Sequence, residues 1–209
     1  MNSNDIINQL AKELTPVKPV MGVYKKSALW LLIGAAYACF MVLVLGLRDD
    51  ISVKITQHSF LLEMVIALLA SLSSGFVAVT LSVPDQYQLP KTIQYLPFSF
   101  MSMLLGILLY SWMDVSTSFV PSALECSLEI TMFSVFPMIV MIYAIRKAAT
   151  THSIMCSAMT SLSAVHFSYI LLRVIEQNDN TPHILYWHYS PMIIVVIFGM
   201  MVGSKLLKW

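Results

Sequence analysis

Apolar residues fill this chain in long blocks broken by short polar connections. Six blocks, at residues 27–47, 60–83, 93–112, 127–145, 154–172 and 185–206, are apolar for about 20 residues each, the length a helix needs to cross a hydrocarbon core of roughly 30 Å. Lipid offers the backbone no hydrogen bonds, so each block is predicted to be a helix, and the short connections predict an antiparallel bundle. The pattern is that of an all-α membrane protein with six transmembrane helices, and no connection has room for a soluble domain. Ala36-Tyr37-Ala38 before Cys39 imitates a cleavage or lipidation site, but the apolar run continues through Leu47, so the block is read as a span.

Residues 1–26 are the one long polar stretch, and 27–209 form the bundle. Within the stretch Ile7, Leu10, Ala11 and Leu14 recur at spacings of three and four, one face of a helix that Ile6 widens. Ser3 or Asn4 can cap it, and Asp5 suits its first turn. Thr15-Pro16 and Pro19 stop it near Leu14. A lone helix of about three turns is marginal in water, so its apolar stripe is expected to be ordered against the lipid bilayer or in a partner's groove.

Composition supports the membrane reading: 58% of residues are hydrophobic and only 11% charged, against roughly 25% charged in a soluble domain. The net charge of +1 supplies no field for nucleic acid. What the charges do supply is orientation, because Lys and Arg stay on the cytoplasmic side. With the N-terminus inside, Lys12, Lys18, Lys25, Lys26, Lys91, Arg146, Lys147, Lys205 and Lys208 lie inside and only Arg48, Lys54 and Arg173 outside. Both termini are thus predicted cytoplasmic. Trp30, Trp112, Trp187 and Trp209 fall near block ends, where indoles favour the interface. Pairs of small residues four apart, Gly34/Ala38, Ser71/Gly75 and Gly199/Gly203, mark expected helix contacts.

The ionisable residues of the spans gather towards the outer side. Arg48 ends the first helix, Glu63 lies one turn into the second, Glu125 and Glu129 open the fourth, Arg173 ends the fifth and His188 starts the sixth. Charges in lipid are costly unless paired, so Arg48 and Arg173 are expected to bridge to Glu63, Glu125 or Glu129. This cluster, with Cys126, is read either as a structural ion-pair network or as a sensing site. His166, Tyr169, Arg173 and Glu176 make one stripe of the fifth helix polar, and that stripe must face protein. Cys126, His58, His183 and His188 all fall outside, yet their spacing does not demand a metal site, and none is expected. No nucleophile turn, His-Glu-x-x-His pair, Cys-x-x-Cys or phosphate loop is present, so neither an enzyme nor a cofactor is expected. Cys126 alone faces the oxidising side, since Cys39 lies mid-span and Cys156 near the inner face.

Several short motifs recur together along the chain: Leu14-Thr15-Pro16-Val17-Lys18-Pro19, Leu45-Gly46-Leu47-Arg48-Asp49-Asp50, Phe60-Leu61-Leu62-Glu63, Leu81-Ser82-Val83-Pro84, Trp187-His188 and Leu206-Leu207-Lys208-Trp209. In order and spacing the chain resembles the negative regulator of sigma F (NrsF) family over nearly its whole length. The resemblance implies a six-helix protein of the bacterial inner membrane that acts as an anti-sigma factor, holding an extracytoplasmic-function sigma factor inactive until an envelope stress releases it. It also implies that the N-terminal segment, through Ile6, Ile7, Leu10, Leu14, Pro16, Val17 and Pro19, binds that sigma factor. The family pattern pairs an outward cysteine before the fourth helix with a second before the sixth. Cys126 matches the first, but residues 174–186 contain no cysteine, and Glu176, Asp179 and His183 are the substitutes in reach. A small transporter or channel subunit is the alternative reading, and a scaffold without a signal is a third. A transporter places its ionisable residues near the midplane, whereas this cluster sits high.

Overall fold

The computed structural model describes residues 21–84, 89–113, 124–148 and 150–207, together with Ser3, Ile7, Asn8 and Ala11. Six helices are long and apolar enough to cross a membrane, and they overlay the six apolar blocks. In chain order they are α1 (Val23–Leu45), α3 (His58–Leu81), α4 (Lys91–Met113), α5 (Leu124–Ile145), α6 (Ser153–Ile175) and the composite span Thr181–Leu206. A short helix, α2 (Ile51–Lys54), follows α1. The composite span consists of α7 (Thr181–His183), a π-helical turn (Ile184–Tyr189) and α8 (Ser190–Leu206). No strand occurs among the described residues.

Helix α6 is the hub. It has the lowest mean hydropathy of the six spans and the highest burial, and the two facts share a cause. A helix enclosed by protein need not be greasy, so Ser157, Thr160, Ser161, Ser163 and Ser168 are all buried there. Their hydroxyls are satisfied locally, as Thr160 Oγ1 donates to the Cys156 carbonyl at 2.9 Å and Ser168 Oγ to that of Ala164 at 3.0 Å. Two hydrogen bonds cross to α3: Ser71 Oγ donates to the Ser163 carbonyl at 3.0 Å, and Ser163 Oγ donates to the Ser71 carbonyl at 2.7 Å. Such interhelical polar contacts in membrane proteins average roughly 0.6 kcal/mol each.

The small-residue pairs lie at these seams. A Cβ on Gly75 would stand 2.9 Å from Ser163 Oγ and 3.1 Å from the Trp30 ring, and one on Gly199 would meet Ser161 Oγ at 1.8 Å. Gly203 abuts Ser157 in the same way, and Gly34 of α1 takes the Phe167 ring. The Trp30 ring is buried over Gly75. By contrast α1 is the least buried span and holds the bundle through Trp30, Gly34 and the Tyr37 ring, 4.6 Å from that of Phe136.

Two chain reversals place the polar groups. Helix α1 ends at Gly46, whose φ of 84° is left-handed and suits glycine, and whose N–H donates to the Val42 carbonyl at 2.9 Å. The chain then turns so that the Arg48 N–H reaches the Val174 carbonyl at 3.1 Å, at the far end of α6. Helix α6 itself stops where Glu176 turns extended. The strap 176–180 follows, with the Asn178 side chain accepting the Asn180 N–H at 3.0 Å, and Pro182 opens α7.

Candidate functional site

Arg48 is 1% exposed, and its guanidinium finds a partner in every direction. Nε donates to Asp50 Oδ1 at 2.6 Å and Nη2 to Asp50 Oδ2 at 3.0 Å. On the other side it grips Asp179, Nη1 to Oδ1 at 3.1 Å and Nη2 to Oδ2 at 2.6 Å, and it also donates to the carbonyls of Arg173 and Gln177. Arg173 donates from Nε to Glu63 Oε1 at 2.6 Å and from Nη1 to Asp179 Oδ1 at 2.8 Å. Tyr169 gives its hydroxyl proton to the same Glu63 oxygen at 2.5 Å, and Lys54 Nζ stands 2.7 Å from Asp179 Oδ2. The Phe60 ring lies beneath both guanidiniums, 5.8 Å from the Arg48 carbon and 5.3 Å from that of Arg173, a placement its electron-rich face favours.

Three cations thus face three carboxylates, with Asp179 as the hub. Its carboxyl is held well below the usual range: burial opposes the charge, but hydrogen bonds from Arg48, Lys54 and Arg173 outweigh it. Asp50 is lowered too, by its hydrogen bonds from Arg48. A cavity of about 220 Å³ between Lys54, Gln57, Glu63, Arg173, Asp179 and Thr181 opens onto the network.

Beside it lies a second group. Cys126 from the first turn of α5, Glu176 at the end of α6, His183 of α7 and His188 of the π-helical turn bring one donor atom each within 4.8 Å of one another. Cys126 Sγ donates to Glu176 Oε1 at 3.4 Å. Nε2 of His183 stands 3.0 Å from Glu176 Oε1, and Nε2 of His188 2.8 Å from Oε2. Both are close approaches without in-line hydrogen-bond geometry, and all four ring nitrogens lack a hydrogen-bond partner among the described residues. Burial works against the Glu176 charge, but the adjacent His188 holds its carboxyl below the usual range.

The π-helical turn has a local cause and a local anchor. Pro191 has no N–H to offer the carbonyl of Trp187 four residues back, and Ser127 Oγ of α5 donates to that carbonyl at 2.9 Å. That bond ties Cys126's neighbour to His188's neighbour. In an α-helix residues five apart diverge by about 140°, whereas i→i+5 winding returns them to one face. The rings of His183 and His188 stand 5.1 Å apart, edge to face.

Set against the expected site, the Arg173–Glu63 bridge is present, while Arg48 turns to Asp50 and Asp179 instead of Glu63, Glu125 or Glu129. Glu125 and Glu129 stay exposed on α5, Glu129 within electrostatic reach of Glu176 and His188. The polar stripe of α6 does face protein, with His166, Tyr169 and Arg173 all buried. His58 opens α3, exposed and outside the Cys126 group. Of the N-terminal residues, Ile7 is helical and 61% exposed, and Ile6, Leu10, Leu14, Pro16, Val17 and Pro19 lie outside the described residues.

A bundle of six membrane-length helices with a charge-balanced assembly packed into one end defines a multi-pass membrane protein with a polar cap. Residues 10–209 match the model of the NrsF family, negative regulator of sigma F, and the chain belongs to that family. The family is one of sigma-factor regulators and not an enzyme class. No curated protein and no solved structure matches the chain.

Proposed function

We propose that this protein is an integral anti-sigma factor of the bacterial inner membrane. It holds an extracytoplasmic-function sigma factor on its cytoplasmic N-terminal segment and releases it on an envelope signal. Family membership supplies the class of partner, and the distribution of Lys and Arg supports a cytoplasmic N-terminus and a periplasmic polar cap. The observation that carries the signalling part is the way α1 is held. This least buried span bears the N-terminal segment at one end, and at the other it leads through Gly46 to Arg48, which grips Asp179. Loosening that grip from the periplasm frees the helix that carries the bait.

Deleting residues 1–14 should release the sigma factor into the cytoplasm and raise expression of its target genes. Replacing Leu10 and Leu14 with Asp should reduce its co-purification, because a charged face is costly in an apolar groove. Unchanged transcription and wild-type co-purification would overturn the reading.

A further inference from the structure

We propose that Cys126, Glu176, His183 and His188 form a binding site for a divalent cation of the zinc class. Four potential ligands from α5, the strap, α7 and the π-helical turn converge, one donor atom each within 4.8 Å of the others. Tetrahedral zinc, with bonds of about 2.0–2.3 Å, sets its ligand atoms roughly 3.3–3.8 Å apart. The approaches of 3.0 and 3.4 Å to Glu176 Oε1 and 2.8 Å to Oε2 open slightly, and the widest pairs, within 4.8 Å, close by about 1 Å, to reach that shell.

The two imidazoles carry the argument furthest. His188 is 0% and His183 3% exposed, and buried ring nitrogens without hydrogen bonds are costly. A metal ion at the shared focus supplies what the carboxylate does not, an acceptor for both nitrogen lone pairs at once. Charge points the same way. In the neighbouring network three cations already match three carboxylates, so Glu176 has no cation there to itself. A 2+ ion bound by the Glu176 carboxylate and the Cys126 thiolate makes a neutral centre, with the thiol proton passing to solvent as the S–metal bond forms. One thiolate, two imidazoles and one carboxylate suit zinc or cobalt better than calcium or magnesium, which take oxygen ligands. Four protein ligands close the shell, which befits a structural or regulatory site instead of a catalytic one. The side chain of Glu176, 19% exposed, provides the route in.

The consequence for signalling rests on the anti-sigma reading. Glu176 begins the strap whose Asp179 grips Arg48, so drawing Glu176 into a coordination sphere moves the latch on α1.

The test uses the full chain purified in mild detergent, stripped with chelator and titrated with cobalt(II). Stoichiometric binding should give the near-ultraviolet charge-transfer band of a cobalt–thiolate bond and the visible bands of tetrahedral cobalt, and zinc should erase both. Cys126→Ser should abolish the charge-transfer band. His188→Ala should weaken binding roughly 100-fold or more, since losing even the outer partner of a ligand costs about 10–100-fold. Cys39→Ser and His58→Ala should change nothing. Absence of stoichiometric binding in the wild type, or a charge-transfer band that persists in Cys126→Ser, overturns the site. Because the wild-type titration requires no variant to fold, the proposal stays testable if a substitution misfolds. Sigma-factor retention is scored separately: release on adding zinc supports the link to Arg48, and unchanged retention with full metal binding overturns that link alone. A wild-type chain that binds cobalt but retains no sigma factor counts against the anti-sigma reading and not against the site.

Discussion

Asp179 is a short side chain that answers Arg48, Lys54 and Arg173 together. Removing one partner from a buried ion pair costs about 3–5 kcal/mol, and discounting for the 29% exposure of this side chain leaves about 2–3 kcal/mol for Asp179→Asn. Its pH dependence has a definite sign. Unfolded, the carboxyl titrates near about 4, and folded it titrates lower, so on acidification the unfolded chain takes the proton first. The stability it contributes is complete above roughly pH 5 and is lost as pH falls through the folded value, below about 4. In thermal-unfolding series in detergent, the gap between wild type and Asp179→Asn should therefore hold from near-neutral to mildly acidic pH and narrow steeply beyond. Asp179→Asn should start lower and fall less. An identical acid limb in both would exclude Asp179 as its source. The role of this residue was hidden in the sequence, because it sits in a polar run, Gln177-Asn178-Asp179-Asn180, that looks like any loop. Glu63 and Arg173 were legible, since charges inside apolar blocks must pair, but only the fold shows that the strap bends back over them.

At the scale of elements, α6 is held on two sides by serines against glycines. Gly199→Ala would set a methyl 1.8 Å from Ser161 Oγ and 2.8 Å from Ser161 Cβ. The hydroxyl can rotate away but the Cβ cannot, so overpacking should cost about 1–3 kcal/mol. Ser161→Ala in that background should recover part of the loss, read as a positive coupling in a double-mutant cycle of unfolding midpoints. Additive losses would mean that the two helices separate instead. These seams were readable as small residues four apart, and the six spans as apolar runs. The π-helical turn was not. Its causes, Pro191 and a serine on another helix, are one local and one tertiary, and without it His183 and His188 belong on different faces of a helix. The convergence of Cys126, Glu176 and the two imidazoles was therefore invisible to spacing rules, which look for ligands close in sequence.

For the molecule as a whole, the anti-sigma reading turns on α1 being both poorly buried and latched at one end. Under that reading Arg48→Ala should leave the α3–α6–α8 core folded while raising target transcription without any stimulus. Arg48→Lys, which keeps the charge but not the two-pronged grip, should fall between. A reporter that stays silent in Arg48→Ala would remove the latch from the mechanism.

The reach of that latch sets an order of events during synthesis. Arg48 and Asp179 are 131 residues apart, and at about 5–20 residues per second the acceptor emerges roughly 7–26 s after the arginine. For that interval Asp50, two residues along, is the carboxylate within reach of Arg48. Asp50 thus gives Arg48 a counter-ion close in sequence before the strap that carries Asp179 has been made.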